Sequence, residues 1–159
     1  MDQPVAQSLQ DAEEAFAEGR LGAAENICRE LLQADEKCAG AWSLMARLAL
    51  LNGDLETAGD FAAVACEFDP TNDEFVRGLA EVFLQRKALE AAEERARHAM
   101  ELQPECSENL VLLGRVLAEK GEQGNALGAF EKALRLEKDD AEAITHYAMA
   151  LQKFDRGKD

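Results

Sequence analysis

The side chains best equipped for chemistry here are two histidines, four cysteines and a few adjacent carboxylates. His98 and Glu101 stand three apart, so both reach one metal ion from a helix, but such a site needs a second pair and the sequence offers none. His146 stands alone, and each histidine is read as helix surface. Cys28, Cys38, Cys66 and Cys106 never approach the Cys-x2-Cys spacing of a zinc site. Cys28 and Cys66 fall on apolar helix faces, where a thiol acts as a small hydrophobe. Cys38 and Cys106 recur at one place in two distant units of the repeat described below. That separates them by about four helix widths of roughly 8–10 Å, beyond disulfide reach. Glu93-Glu94 and Asp139-Asp140 read as solvated charge, with the second pair able to cap the last helix. No Gly-rich phosphate loop and no Gly-x-Ser-x-Gly occurs. The sequence therefore predicts no catalytic residue, no metal, no cofactor and no enzymatic role.

The elements that position these residues follow from a period of 34. Asp69-Pro70 and Gln103-Pro104 are one such step apart, and the same step lands on Glu36 and Lys138. Gly19, Gly53 and Gly121 are each followed five residues on by Ala24, Ala58 and Ala126, while the third member of the series is Lys87 followed by Ala92. The period divides the chain into units 5–38, 39–72, 73–106 and 107–140 and a final segment 141–154, all within one domain. Each unit reads as helix, tight turn, helix. Trp42, Met45, Ala46 and Ala49 fall at i, i+3, i+4, i+7, a helical stripe, and the run stops at Asn52-Gly53-Asp54. Leu55, Ala58, Ala62, Ala65 and Cys66 form the next stripe, closed by Pro70, which cannot continue a helix. The fourth unit repeats this with Leu110, Leu113, Gly114 and Leu117, then Ala126, Phe130, Ala133 and Leu134.

Trp42, Gly114, Ala58, Ala126, Phe130, Ala133, Pro70 and Pro104 fill positions of the tetratricopeptide (TPR) pattern, and the chain resembles that family over residues 5 to 154. The resemblance implies an all-α solenoid of helical hairpins in a right-handed superhelix, with about four repeats and a C-terminal capping helix. Ala46, Ala80 and Gly114 on first helices, and Ala24, Ala58, Ala92 and Ala126 on second helices, are small where backbones cross. Neighbouring hairpins then seal one another's apolar faces. The first unit departs: Asp11 replaces a core leucine, and Val5, Leu9, Ala12 and Phe16 give a shifted stripe. Lys87 replaces a turn glycine at modest cost if its φ is positive. Ile144, Tyr147, Ala148 and Leu151 are expected to face inward from the last helix.

The family places first helices along a concave groove. The residues expected to line it are Ser43, Arg47 and Leu50; Arg77, Glu81 and Leu84; Val111, Arg115 and Ala118; and Thr145, Met149 and Gln152. Arg47, Arg77 and Arg115 present planar forks suited to carboxylates, and Leu50, Leu84 and Val111 flank them. The groove thus suits a protein or peptide with acidic and apolar side chains. The competing reading pairs Arg77 with Glu81 at i,i+4 and Arg47 and Arg115 with neighbouring acids. The Lys and Asn clamp of chaperone-binding relatives is missing, because Leu9, Glu13, Leu44, Glu74 and Gly78 occupy the candidate places.

Charge narrows the partner classes. Lys plus Arg is 17 against 32 Asp plus Glu, for a net −15. Nucleic acid requires the opposite sign, and anionic membrane surfaces are disfavoured likewise. Residues 1–72 hold fourteen acids and four bases, residues 73–159 eighteen and thirteen, so acidity is concentrated at the N-terminal half. No segment is long and apolar enough to span a bilayer, and the start, Met-Asp-Gln-Pro, lacks a signal peptide's features, which predicts a cytoplasmic location. The sequence is thus expected to encode an interaction scaffold or adaptor. Two alternatives stand beside it: a TPR region N-terminal to a larger enzyme such as a transferase, and a homo-oligomer in which the last helix exposes Tyr147, Ala150 and Phe154.

Overall fold

The computed structural model describes the backbone of residues 3–156 and the side chains of 7–155, so Val5's side chain lies outside the described residues. The described residues form helices α1 (Gln3–Ala17), α2 (Leu21–Ala34), α3 (Ala39–Leu51), α4 (Leu55–Phe68), α5 (Asp73–Gln85), α6 (Leu89–Leu102), α7 (Ser107–Lys120), α8 (Gln123–Leu136) and α9 (Ala141–Arg156). They pair as hairpins α1–α2, α3–α4, α5–α6 and α7–α8, and each hairpin packs on the next. Odd helices of successive hairpins touch one another, while even helices of successive hairpins do not. The stack therefore curves with its odd helices inside, forming the all-α TPR superhelix.

Local chemistry sets these bounds. Gly19, Gly53 and Gly121 turn each hairpin with φ of 75°, 76° and 80°, and Lys87 takes φ 59° at the equivalent place. The turn thus keeps its left-handed geometry without glycine, at a cost of about 1 kcal/mol. Asp69 and Gln103, each before a proline, end their helices in extended geometry, with φ −141° and −138°, as the proline ring demands. Asp35 and Glu137 do the same without a following proline, so the bend belongs to the hairpin stacking and proline only reinforces it. The Asp54 carboxylate accepts from the Thr57 amide, Asn72 from Glu74 and Phe75, and Asp140 from Glu142 and Ala143, capping α4, α5 and α9.

Alanines dominate the core. Ala12, Ala46 and Ala80 share a repeat position with Gly114, and all three are buried. Facing them on the second helices are Cys28, Ala62, Ala96 and Phe130. The largest of these, Phe130, meets the smallest partner: a Cβ on Gly114 would stand 2.6 Å from Phe130 Cε1. Side-chain volume is thus traded across the crossing while the helix spacing is held.

Two expectations for the ends change. Asp11 is exposed, where it accepts a hydrogen bond from Gln7 at 3.1 Å, while Ala12 and Ala15 take the core side of α1. On α9 the expected inward face is reversed in part. Ile144 is 48% exposed and Leu151 40%, and Ala148 is exposed too. Ala143 and Ala150 are buried, with Tyr147 and Phe154 packed beside them. Ile144, Ala148 and Leu151 sit one period beyond Leu110, Gly114 and Leu117, a face that α8 covers on α7. Among the described residues no tenth helix follows to cover it on α9. The face that α9 turns to α7 and α8 buries Ala150 and leaves Tyr147 and Phe154 partly covered.

Candidate functional site

The inner helices form two depressions that meet at Arg115. The first, about 370 Å³, is lined by Ser43, Arg47, Leu50, Arg77, Glu81 and Arg115 together with Glu74, Gly78, Glu108, Leu112 and Glu142. The second, about 580 Å³, takes Leu84, Arg115, Ala118, Met149 and Gln152 with Gln85, Lys87, Glu119, Phe130, His146, Ala150 and Lys153. Val111 lines neither, being 2% exposed and part of the core. Thr145 is exposed outside both, its hydroxyl donating to the Ala141 carbonyl. Ser43, Leu84 and Ala118 are nearly buried and form floor, whereas Met149 is 59% exposed.

Two of the three arginines are matched within the chain. Arg47 donates to Glu13 at 2.8 Å and lies 4.2 Å from the centroid of the Phe16 ring. Arg115 grips Glu81 with both terminal nitrogens, at 2.7 and 2.9 Å, and Glu142 stands 3.8 Å away. A forked contact of this kind is stronger and more directional than a single one. Arg77 donates instead to Asn109 Oδ1 at 3.3 Å and to Cys106 Sγ at 3.5 Å. Asn109, 1% exposed, in turn donates to Asp73 and to the Ala99 carbonyl. The i,i+4 pair of Arg77 with Glu81 does not form, because Arg115 holds Glu81.

These pairs obey the repeat. Glu13, Arg47, Glu81, Arg115 and Met149 occupy one position in five successive inner helices, and the pairs join Glu13 to Arg47 and Glu81 to Arg115. The seam between the two pairs, where α3 and α4 meet α5, is packed by Ala46, Ala49, Ala62, Leu79 and Val82. Among the described residues no ion pair crosses that seam. Glu119 and Lys153 form a second such column, at 3.2 Å, and Lys87 reaches the same Glu119 carboxylate at 2.9 Å. Sequence reading missed Glu13, Lys87, Glu119 and Lys153. Reading one position down the units, rather than along each helix, would have found Glu13 and the Glu119–Lys153 pair.

Two carboxyls near the groove are held below the usual range: Glu119 by hydrogen bonds from Lys87 and then Lys153, and Glu108 by the Cys106 thiol, which donates to it. Burial lowers the His146 imidazole, and the Arg115 charge adds to that. The ring stacks on Phe130 at 6.5 Å. Away from the groove, burial and then Glu13 push the Cys28 thiol up to about 12.

Comparison with known proteins follows this geometry. Models described as tetratricopeptide repeat match residues 9–73 and 107–140. No curated protein sequence matches. Among solved structures, PilF of Pseudomonas aeruginosa is 23% identical with a TM-score of 0.84, covering 96% of this chain and 69% of that one. A thermophilic TPR protein of Thermus thermophilus is 23% identical with a TM-score of 0.77, covering 94% and 91%. YrrB, described as a TPR protein with an unusual peptide-binding site, is 18% identical with a TM-score of 0.69, covering 93% and 76%.

Proposed function

Because the chain belongs to the tetratricopeptide-repeat family, we propose that it serves as a protein-interaction scaffold whose concave groove holds a segment of a partner protein. The observation that carries this reading is the pair of neighbouring depressions, sharing Arg115 in their lining, that extend over helices α3, α5, α7 and α9. The peptide-binding site ascribed to YrrB supports it by fold alone. Binding, rather than catalysis, suits these side chains. The imidazole in the groove, His146, stacks on Phe130 with the Glu142 carboxylate 3.8 Å away, and no cysteine or serine is among the described residues that line its depression. A cytoplasmic setting belongs to the same proposal, and fractionation of cells expressing the chain tests it.

The arginines alone do not make the groove a carboxylate receptor, since Arg47 and Arg115 already hold Glu13 and Glu81. Arg77 is the arginine whose replacement alters the groove without breaking an ion pair between hairpins. Arg77→Glu and Met149→Lys are expected to weaken partner capture in a pull-down or peptide array while the circular-dichroism spectrum stays helical. Capture unchanged by both substitutions places the partner elsewhere.

A second reading, self-association through the outer face of α9, is favoured by the exposure of Ile144 and Leu151. Light scattering at rising concentration tests it: a dimer abolished by Leu151→Glu supports the reading, and a monomer throughout dismisses it.

A further inference from the structure

The charges lining the groove are sorted along the direction of the inner helices. The first depression is lined by Glu74, Glu108 and Glu142 as well as Arg77, while Arg47 and Arg115 are matched to Glu13 and Glu81 and Glu142 stands 3.8 Å from Arg115. Carboxylates are therefore in surplus there. In the second depression a single carboxylate, Glu119, lies between the ammonium groups of Lys87 and Lys153. Those lysine side chains are 69% and 50% exposed, leaving positive charge in surplus beside the C-terminal ends of α5 and α9 in a chain whose net charge is −15. Between the two charged regions lies an apolar floor of Leu84, Ala118 and Phe130, with the exposed Met149 side chain beside it.

We infer that the groove's occupant is a partner segment in which a basic and an acidic side chain flank an apolar one, its acidic end lying toward Lys87 and Lys153. This rests on the groove reading given above and names the partner's chemistry. Charge complementarity of this kind fixes direction and excludes wrongly ordered partners more than it raises affinity. Glu142 and Lys153 lie on the same helix, α9, about 16 Å apart along an axis that rises about 1.5 Å per residue. An extended segment, rising about 3.3 Å per residue, spans that distance in roughly five residues, with the apolar side chain between the charges.

The test is selection from a random-peptide display library on the immobilised chain, then fluorescence anisotropy of the selected peptides with amidated C termini. The selected set is expected to carry basic and acidic residues on opposite sides of an apolar one. Shuffling the charges at constant composition should lower affinity by about tenfold. Lys153→Glu and Glu74→Lys should each reduce binding of the ordered peptides, with helical content retained. Because Lys153 also contacts Ala118 and Glu119, Lys153→Gln serves as a milder second variant, and the shuffled-peptide comparison needs no variant at all. Peptides that respond to Arg77→Glu yet show no charge order overturn the polarity and leave the groove reading intact. Enrichment of no peptide, or only of peptides indifferent to every groove substitution, overturns both.

Discussion

Alanine at position 114 should destabilise the protein, although alanine is the better helix former. Replacing a mid-helix glycine with alanine normally gains about 0.8–1 kcal/mol. At Gly114 the added Cβ would lie 2.6, 2.8 and 2.9 Å from Cε1, Cζ and Cδ1 of Phe130. Carbon atoms pack at about 3.5–4.0 Å, so the ring or the helix must move by about 1 Å. Phe130 is 1% exposed and faces the His146 and Tyr147 rings at 6.5 and 6.4 Å, which blocks its retreat. Overpacking of this kind costs about 1–3 kcal/mol, leaving a net loss of up to about 2 kcal/mol after the helix-propensity gain. Gly78 in α5 is the control, because nothing lies within 4 Å of its added Cβ. Gly78→Ala should stabilise by about 0.5–1 kcal/mol. Urea unfolding followed by circular dichroism measures both. A cycle with Phe130→Ala isolates the contact: alone that change costs about 3–5 kcal/mol, and in its background Gly114→Ala should turn stabilising. If Gly114→Ala raises the urea midpoint as Gly78→Ala does, or has the same effect with and without the ring, the volume trade across α7 and α8 is not what holds the fourth hairpin.

Three further outcomes are expected. Arg115→Ala removes a forked ion pair whose partners are only 24% and 22% exposed and should cost about 1–2 kcal/mol in urea unfolding; no measurable loss would show the pair to be incidental. Glu93, held low first by Lys120 and then by Arg97, and Glu119, held low by Lys87 and Lys153, favour the fold above the unfolded carboxylate range of about 4. Stability should therefore fall as pH drops through that range and below. Glu93→Gln should flatten the fall, and an unchanged acid profile for this variant would refute the assignment. Cys28, fully buried with its thiol pushed up to about 12, should resist iodoacetamide until urea opens the fold, while half-buried Cys66 and Cys106 are labelled first in mass spectra. Equal labelling of all three would contradict the packing of α2.

The period of 34 made the hairpins legible because every turn and crossing is a local requirement. Gly19, Gly53 and Gly121 mark the left-handed turn, and the small residues at positions such as Ala46 and Ala80 mark close approach. Lys87 was legible as an exception for the same reason, its place in the series being fixed. What could not be read along one helix was pairing between helices. Arg77 and Glu81 sit at a favourable spacing, yet Glu81 belongs to Arg115 in the next hairpin. The α9 face was misjudged because Ile144 and Leu151 match the core pattern of Leu110 and Leu117, and a pattern does not say whether a covering helix follows. Val111 shares the repeat position of Ser43 and Arg77 yet is buried in the core, because spacing does not show how far a side chain reaches.

The alternation of Glu13, Arg47, Glu81 and Arg115 bears on how added salt acts on the stack. A single ion-paired contact ties the first hairpin to the second, and a fork ties the third to the fourth. Between them α3, α4 and α5 meet through close-packed apolar side chains. Dissolved ions screen the first and last of these three joints and leave the middle one unweakened.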